Sequence, residues 1–247
     1  MLNPSQSQQH TVVLWSPPRS RSTLFEKTFL QRPDTTVIHE PFCGVYYLSR
    51  WRRSHEEGED PEMLDYGPQA ALRQIQSPQT PLIFVKEIAF EMLPYIDYSF
   101  FQTVTNTFLI RPPHETIASI YKGGRIVFTE EEFGFTALET IFEIVTEKLG
   151  YEPIVVETNH FCSQPQDILN RYCDRIGVEF EPIMLGFKIH ELPLMPYQIP
   201  FRSWWEKVEK STDVLPPTQV ERNIRPEHQE IVKRAEKIYE KLVNFAL

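Results

Sequence analysis

The chain has 247 residues, 41% of them hydrophobic and 13% aromatic, with a formal charge of −9. That is enough apolar chain for one α/β domain over 1–247 with a sizeable core, and the acidic balance argues against nucleic acid or an anionic membrane as partner. Cys43, Cys162 and Cys173 are odd in number and lack metal-ligand spacing, so a reducing, cytoplasmic setting without structural disulfides is expected. No signal-peptide core and no apolar run of bilayer length is visible.

Residues 12–15, Val-Val-Leu-Trp, read as a buried strand, stopped by Pro17 and Pro18, which cannot donate to a ladder. Arg19, Ser20, Arg21, Ser22 and Thr23 follow, and then a helical apolar spacing at Leu24, Phe25 and Phe29. A strand, a small-polar turn and a helix start together form an anion site. The orphan amides of the first helical turn, Leu24 among them, and the positive end of the dipole point at the turn. The hydroxyls and guanidiniums add donors suited to phosphate or sulfate. A helix simply capped by Ser20 or Ser22 is the competing reading. The loop lacks the glycines and the Lys-Ser/Thr pair of a Walker A sequence.

A second strand at 36–38 leads into His39-Glu40-Pro41-Phe42. Residues 43–80 contain a charged, poorly periodic stretch that reads as a cap or a surface insertion. Strands are expected at 82–85, 105–110 and 154–156, and helices after Pro112-Pro113, over 131–149, over 168–176 and over 226–245. Gly150 and Gly177 fit as helix stops. Short strands alternating with helices imply a parallel sheet covered on both faces, with ligands bound beyond the carboxyl ends of its strands. Arg19, Glu40, Lys86 and Arg111 each follow an expected strand and so converge on that edge. Ser119, eight residues after Arg111, lies about two turns into the next helix, where it can face back towards the arginine.

The loop Pro18-Arg19-Ser20-Arg21-Ser22-Thr23 resembles the phosphosulfate loop of sulfotransferases that use 3′-phosphoadenosine 5′-phosphosulfate (PAPS), with Arg21 where many members carry Gly. Phe-Leu-Ile-Arg-Pro-Pro at 108–113, with Ser119, is similar to that family's 3′-phosphate motif. The likeness runs from about residue 12 to 180, closest to small soluble enzymes carrying His-Glu-Pro-Phe. It implies a P-loop-type three-layer α/β domain, PAPS as cofactor, no metal and a small-molecule hydroxyl or amine as acceptor. Carried onto this chain, it puts Arg19 at the bridging phosphate oxygen and the sulfonate. Ser20, Ser22 and Thr23 would lie around the 5′-phosphate, and Arg111 and Ser119 at the 3′-phosphate. The family's basic C-terminal loop has no clear match, leaving Arg202 or Lys207 as substitutes.

A neutral acceptor needs a base. His39, Glu40 and Glu87 are candidates, with His114 and His190 behind them. The resemblance to glycan-type enzymes favours Glu40, whose pKa burial would have to raise for the task. As neighbours at a strand end, His39 and Glu40 should point to opposite faces. The alternatives are a kinase-like phosphotransferase and a non-catalytic nucleotide-binding module.

Overall fold

The computed structural model describes residues 9–54, 65–217 and 220–247. Its strands are β1 (His10–Ser16), β2 (Thr35–His39), β3 (Leu82–Ile88), β4 (Thr105–Ile110) and β5 (Ile154–Glu157). Helices α1 (Ser22–Leu30), α2 (Cys43–Leu48), α3 (Pro68–Gln76), α4 (Ala89–Met92), α5 (Tyr98–Gln102) and α6 (Pro113–Lys122) belong to the first half. The second half holds α7 (Glu130–Phe133), α8 (Phe135–Glu143), α9 (Thr158–Ser163), α10 (Pro165–Ile176), α11 (Glu206–Glu209) and α12 (Gln229–Val243).

All four strand pairings are parallel, in the order β2-β3-β1-β4-β5. The chain leaves β1 towards β2 on one side and later crosses to β4 on the other. β1 is thus the switch point, where ligand crevices form in open α/β sheets. Strand periodicity divides the core in two. Val12, Leu14, Val37 and Phe84 pack with Leu24, Phe25, Phe29 and the α10 residues Leu169 and Tyr172. Val13, Trp15, Ile38 and Val85 pack on the other face with Ile117, Leu138, Ile141 and Leu242. Phe29 stacks on Phe84 with ring centroids 4.0 Å apart, so the helix that leaves the polar loop is fixed flat on the sheet.

Three expected boundaries change. β3 runs on to Ile88 rather than ending at 85, because Lys86 and Glu87 are themselves buried in the strand. The helix expected over 131–149 breaks at Gly134 (φ 83) and widens into a π-turn at Ile144–Lys148. The reason for the break lies in the turn after β1: a Cβ on Gly134 would sit 2.8 Å from Pro18 Cδ and 3.3 Å from Pro17 Cα. Bare backbone is needed there to let the helix pair close on the polar loop. In the stretch expected as a cap, the described part forms α2 and α3, while 55–64 lie outside the described residues. All three cysteines are free thiols, and no helix among the described residues is long and apolar enough to cross a membrane.

Candidate active site

β1 delivers the chain to the carboxyl edge of the sheet, where Pro17 and Pro18 turn it. Arg19 and Arg21 both adopt left-handed backbone, φ 57 and 67, which costs a non-glycine residue about 1–2 kcal/mol. At the position of Arg21 a glycine would take that turn freely. The capped-helix reading fails: Arg21 is the N-cap, and α1 has no side-chain cap among the described residues. The Leu24 amide donates to the Arg21 carbonyl at 2.9 Å. Ser20 is fully buried, and its Oγ has no partner among the described residues. A buried hydroxyl left in that state costs about 1–3 kcal/mol. Ser22 and Thr23 are buried beside it.

Side chains from α9, from α6 and from the turn between β4 and α6 brace this loop. Thr158 Oγ1, at the start of α9, lies 2.8 Å from the carbonyls of both Ser20 and Ile110, tying the loop to the end of β4. Arg111 donates through Nη1 to the Arg19 carbonyl at 2.9 Å and through Nε to Glu115 at 3.0 Å. Asn159 holds the other Glu115 oxygen at 3.0 Å. Arg19 Nε donates to Ser119 Oγ at 3.3 Å. The loop after β1 and the segment from Arg111 to Ser119, 92 positions apart at Arg19 and Arg111, thus meet at one point. Arg21 turns away, with Nη1 on the carbonyls of Leu215 and Pro216 and on Cys162 Sγ.

Acidic side chains gather at the ends of β2 and β3. On the α1 face, His39 Nδ1 is 2.7 Å from Glu26 Oε2, both residues being fully buried. Trp205 stands edge-on to the His39 ring at 4.8 Å. Glu40 does not diverge from His39 as strand alternation requires. It leaves β2 at φ 43, which brings Oε2 within 3.8 Å of His39 Nε2 and Oε1 onto the Lys86 ammonium. Gln198 Nε2 donates to the carbonyls of both His39 and Glu40 at 3.2 Å, which holds this bend.

The expected upward shift of Glu40 is reversed. Burial pushes its carboxyl up, but Lys86, His39 and Arg19 outweigh burial and hold it below the usual range. Glu87, on the opposite face of β3, accepts from the amides of Phe42 and Ile88 at 2.9 and 2.8 Å. Burial still pushes it up to about 8, with Glu40 adding to the rise.

Several candidates lie elsewhere. His190 bonds the Glu209 carbonyl at 3.3 Å, and Arg202 is paired with Glu209 and Glu191. Lys207 is exposed, and His114 sits in the first turn of α6. Arg225 reaches the helix of Ser119, 5.3 Å from the Tyr121 ring centroid. Glu26, Thr158, Glu91 and Arg225 were not singled out from the sequence. Only Glu26 had a local signal, a charge directly after Leu24 and Phe25 on the helix that packs on the sheet.

A family model described as "Sulfotransferase domain" matches residues 10–241. The sulfotransferase domain of the Synechococcus PCC 7002 olefin synthase superposes with a TM-score of 0.53 at 14% identity, covering 97% of this chain and 98% of that one. This likeness shows the fold. Among curated proteins, branched-chain-amino-acid aminotransferase-like protein 1 of Arabidopsis thaliana is 24% identical over 227 residues, which are 91% of this chain. The chain spans only 40% of that relative's length. With the family model covering residues 10–241 and so every strand of the central parallel sheet, the chain belongs to the sulfotransferase domain family.

Proposed function

We propose that the chain moves a sulfuryl group from PAPS to a hydroxyl or amine of a small-molecule acceptor. The observation that carries this reading is the loop after β1. It has an uncapped helix start and an orphaned, buried Ser20 hydroxyl, and Arg19 meets Ser119 within 3.3 Å. These donors fit a nucleotide that bears phosphate at both its 5′ and 3′ positions. Ser20, Ser22, Thr23 and the first-turn amides would hold the 5′ side. Arg111 and Ser119 would hold the 3′ side, with Arg111 also fixing the loop carbonyl on which Arg19 is carried.

Bound there, PAPS supplies the sulfuryl group and a phosphate leaving group. Arg19 would neutralise the charge that grows on the leaving oxygen, the preorganised electrostatic help on which such transfers depend. Glu40 is the base: Lys86 keeps it ionised at neutral pH, ready to take the acceptor proton, though at some loss of basicity. His39 and Gln198 fix its direction.

Calorimetry tests the nucleotide. The protein should bind 3′-phosphoadenosine 5′-phosphate well ahead of AMP or adenosine 5′-phosphosulfate, and Arg111→Ala should erase that preference. Equal affinity for nucleotides without the 3′-phosphate would sink the reading. Turnover should persist in excess EDTA, whereas complete Mg²⁺-reversible loss points to a kinase-like phosphotransferase.

A further inference from the structure

The sulfotransfer reading uses Glu40, Lys86 and His39 but leaves Glu91 without a task. Glu91 lies on α4, directly after β3, and is 4% exposed. Its Oε2 has no hydrogen-bond partner among the described residues. One oxygen of Glu91, one of Glu40 and the Cys43 sulfur lie within 4.8 Å of one another. A buried carboxylate next to the base and lacking a donor is costly, and such a group persists where something else supplies the donor.

A second, independent feature points the same way. His39 Nε2 is also buried without a partner among the described residues, 3.8 Å from Glu40 Oε2. Glu91 Oε2 and His39 Nε2 are thus two buried atoms in the surroundings of Glu40 without a partner among the described residues. The nearby cations are already engaged: Lys86 on Glu40, and Arg125, whose Nη2 lies 3.2 Å from Glu132 Oε1. Glu87 cannot help, since both its oxygens are taken by backbone amides. Burial, then Glu40, then Glu87 push the Glu91 carboxyl well above its ordinary range, and the opposing pull of Lys86 and Arg125 is smaller. These surroundings therefore favour the neutral acid, and only a cation placed beside Glu91 Oε2 would stabilise its carboxylate.

We propose that Glu91 is the counter-ion for an ammonium group on the acceptor, so that the preferred substrate is an amino alcohol with its amine on the carbon next to the hydroxyl-bearing one. This rests on the sulfotransfer reading and narrows it. The hydroxyl oxygen forms the new O–S bond, the bond from sulfur to the leaving phosphate oxygen breaks, and that phosphate departs with the electron pair. Glu91 releases its proton to solvent as the ammonium binds; the hydroxyl proton then goes to Glu40, while the ammonium stays charged beside the Glu91 carboxylate. Adjacent carbons keep nitrogen and oxygen close enough for each to meet a different one of these two carboxylates.

The test compares 2-amino-3-phenylpropan-1-ol with its neutral counterpart 3-phenylpropane-1,2-diol. With wild-type protein and PAPS, kcat/KM should favour the amine by about 10–100-fold, the range expected for one hydrogen bond to a charged group. Thermal-shift binding of the two compounds without PAPS should show the same order. Glu91→Gln should abolish the preference in both assays and leave affinity for 3′-phosphoadenosine 5′-phosphate unchanged. Equal use of the two acceptors, or a preference that survives Glu91→Gln, overturns the assignment. If the variant does not fold, the wild-type comparison decides alone. A protein that fails to bind 3′-phosphoadenosine 5′-phosphate at all refutes the sulfotransfer reading instead, and the binding arm still judges Glu91.

Discussion

Lys86→Met isolates the contact on which the proposed base depends. Lys86 is 1% exposed and Glu40 7%, so the substitution leaves a carboxylate in the interior without its ammonium partner. His39 at 3.8 Å and the more distant Arg19 are its remaining cationic or polarisable neighbours. Breaking a buried pair from one side typically costs about 3–5 kcal/mol. In a domain of this size each kcal/mol moves the melting temperature by about 2–4 °C, so a fall of about 6–20 °C is expected. Replacing both partners, Lys86→Met with Glu40→Gln, removes the stranded charge and should recover most of that loss. The four proteins are compared by thermal and urea melts at neutral pH. The Lys86→Met penalty should shrink in acid, because Glu40 can then fold protonated. The reasoning fails if the two single costs simply add, with a coupling below about 0.5 kcal/mol, or if the penalty is the same at pH 5 and pH 8.

Glu40→Gln keeps the shape of the base but not its function, and should lower turnover by about 10²–10⁴-fold with nucleotide affinity nearly intact. His39→Asn should slow the enzyme less yet melt earlier, since it unpairs Glu26; the reverse order in steady-state kinetics makes His39 the base. Arg21→Gly should leave stability within about 1 kcal/mol of wild type, because the left-handed turn remains available, whereas Arg21→Val should cost about 1–3 kcal/mol in urea melts. Glu87 is raised from 4.5 to about 8, so the folded protein holds a proton there that the unfolded chain releases. Stability should therefore fall as pH rises between those two values, and Glu87→Gln should flatten that part of the profile.

Much of the architecture was legible because it rests on local patterns. The apolar runs of β1, β4 and β5 and the glycine stop after α10 each carry their own signal. The convergence of Arg19, Glu40 and Arg111 also follows from strand ends alone, once the sheet is parallel. Where the sequence misled, the cause was a partner far away in the chain. Lys86 and Glu87 looked like the end of a strand, but Glu40 and the amides of Phe42 and Ile88 allow both to be buried inside it. Gly134 broke a periodic helix to make room for Pro17 and Pro18. The direction of Glu40's side chain, and of its pKa, came from Lys86, 46 positions away. Glu91 carries no sequence signal at all, because its significance is the lack of a partner.

Arg19, Arg21 and Glu40 are the non-glycine residues with positive φ among those described, and all three sit on the same rim of the sheet. Each position holds about 1–2 kcal/mol of backbone strain, stored where the chemistry is proposed to occur. Selection for heat resistance alone would therefore have its easiest gains here. A library ranked by melting temperature should accumulate Gly or Asn at 19 and 21 but keep Glu40, whose loss would strand the buried Lys86 ammonium, and the most robust clones would be the ones that have given up their arginines at the rim. A screen that scores survival without turnover would drift towards an inert scaffold, with the sheet and both cores unchanged.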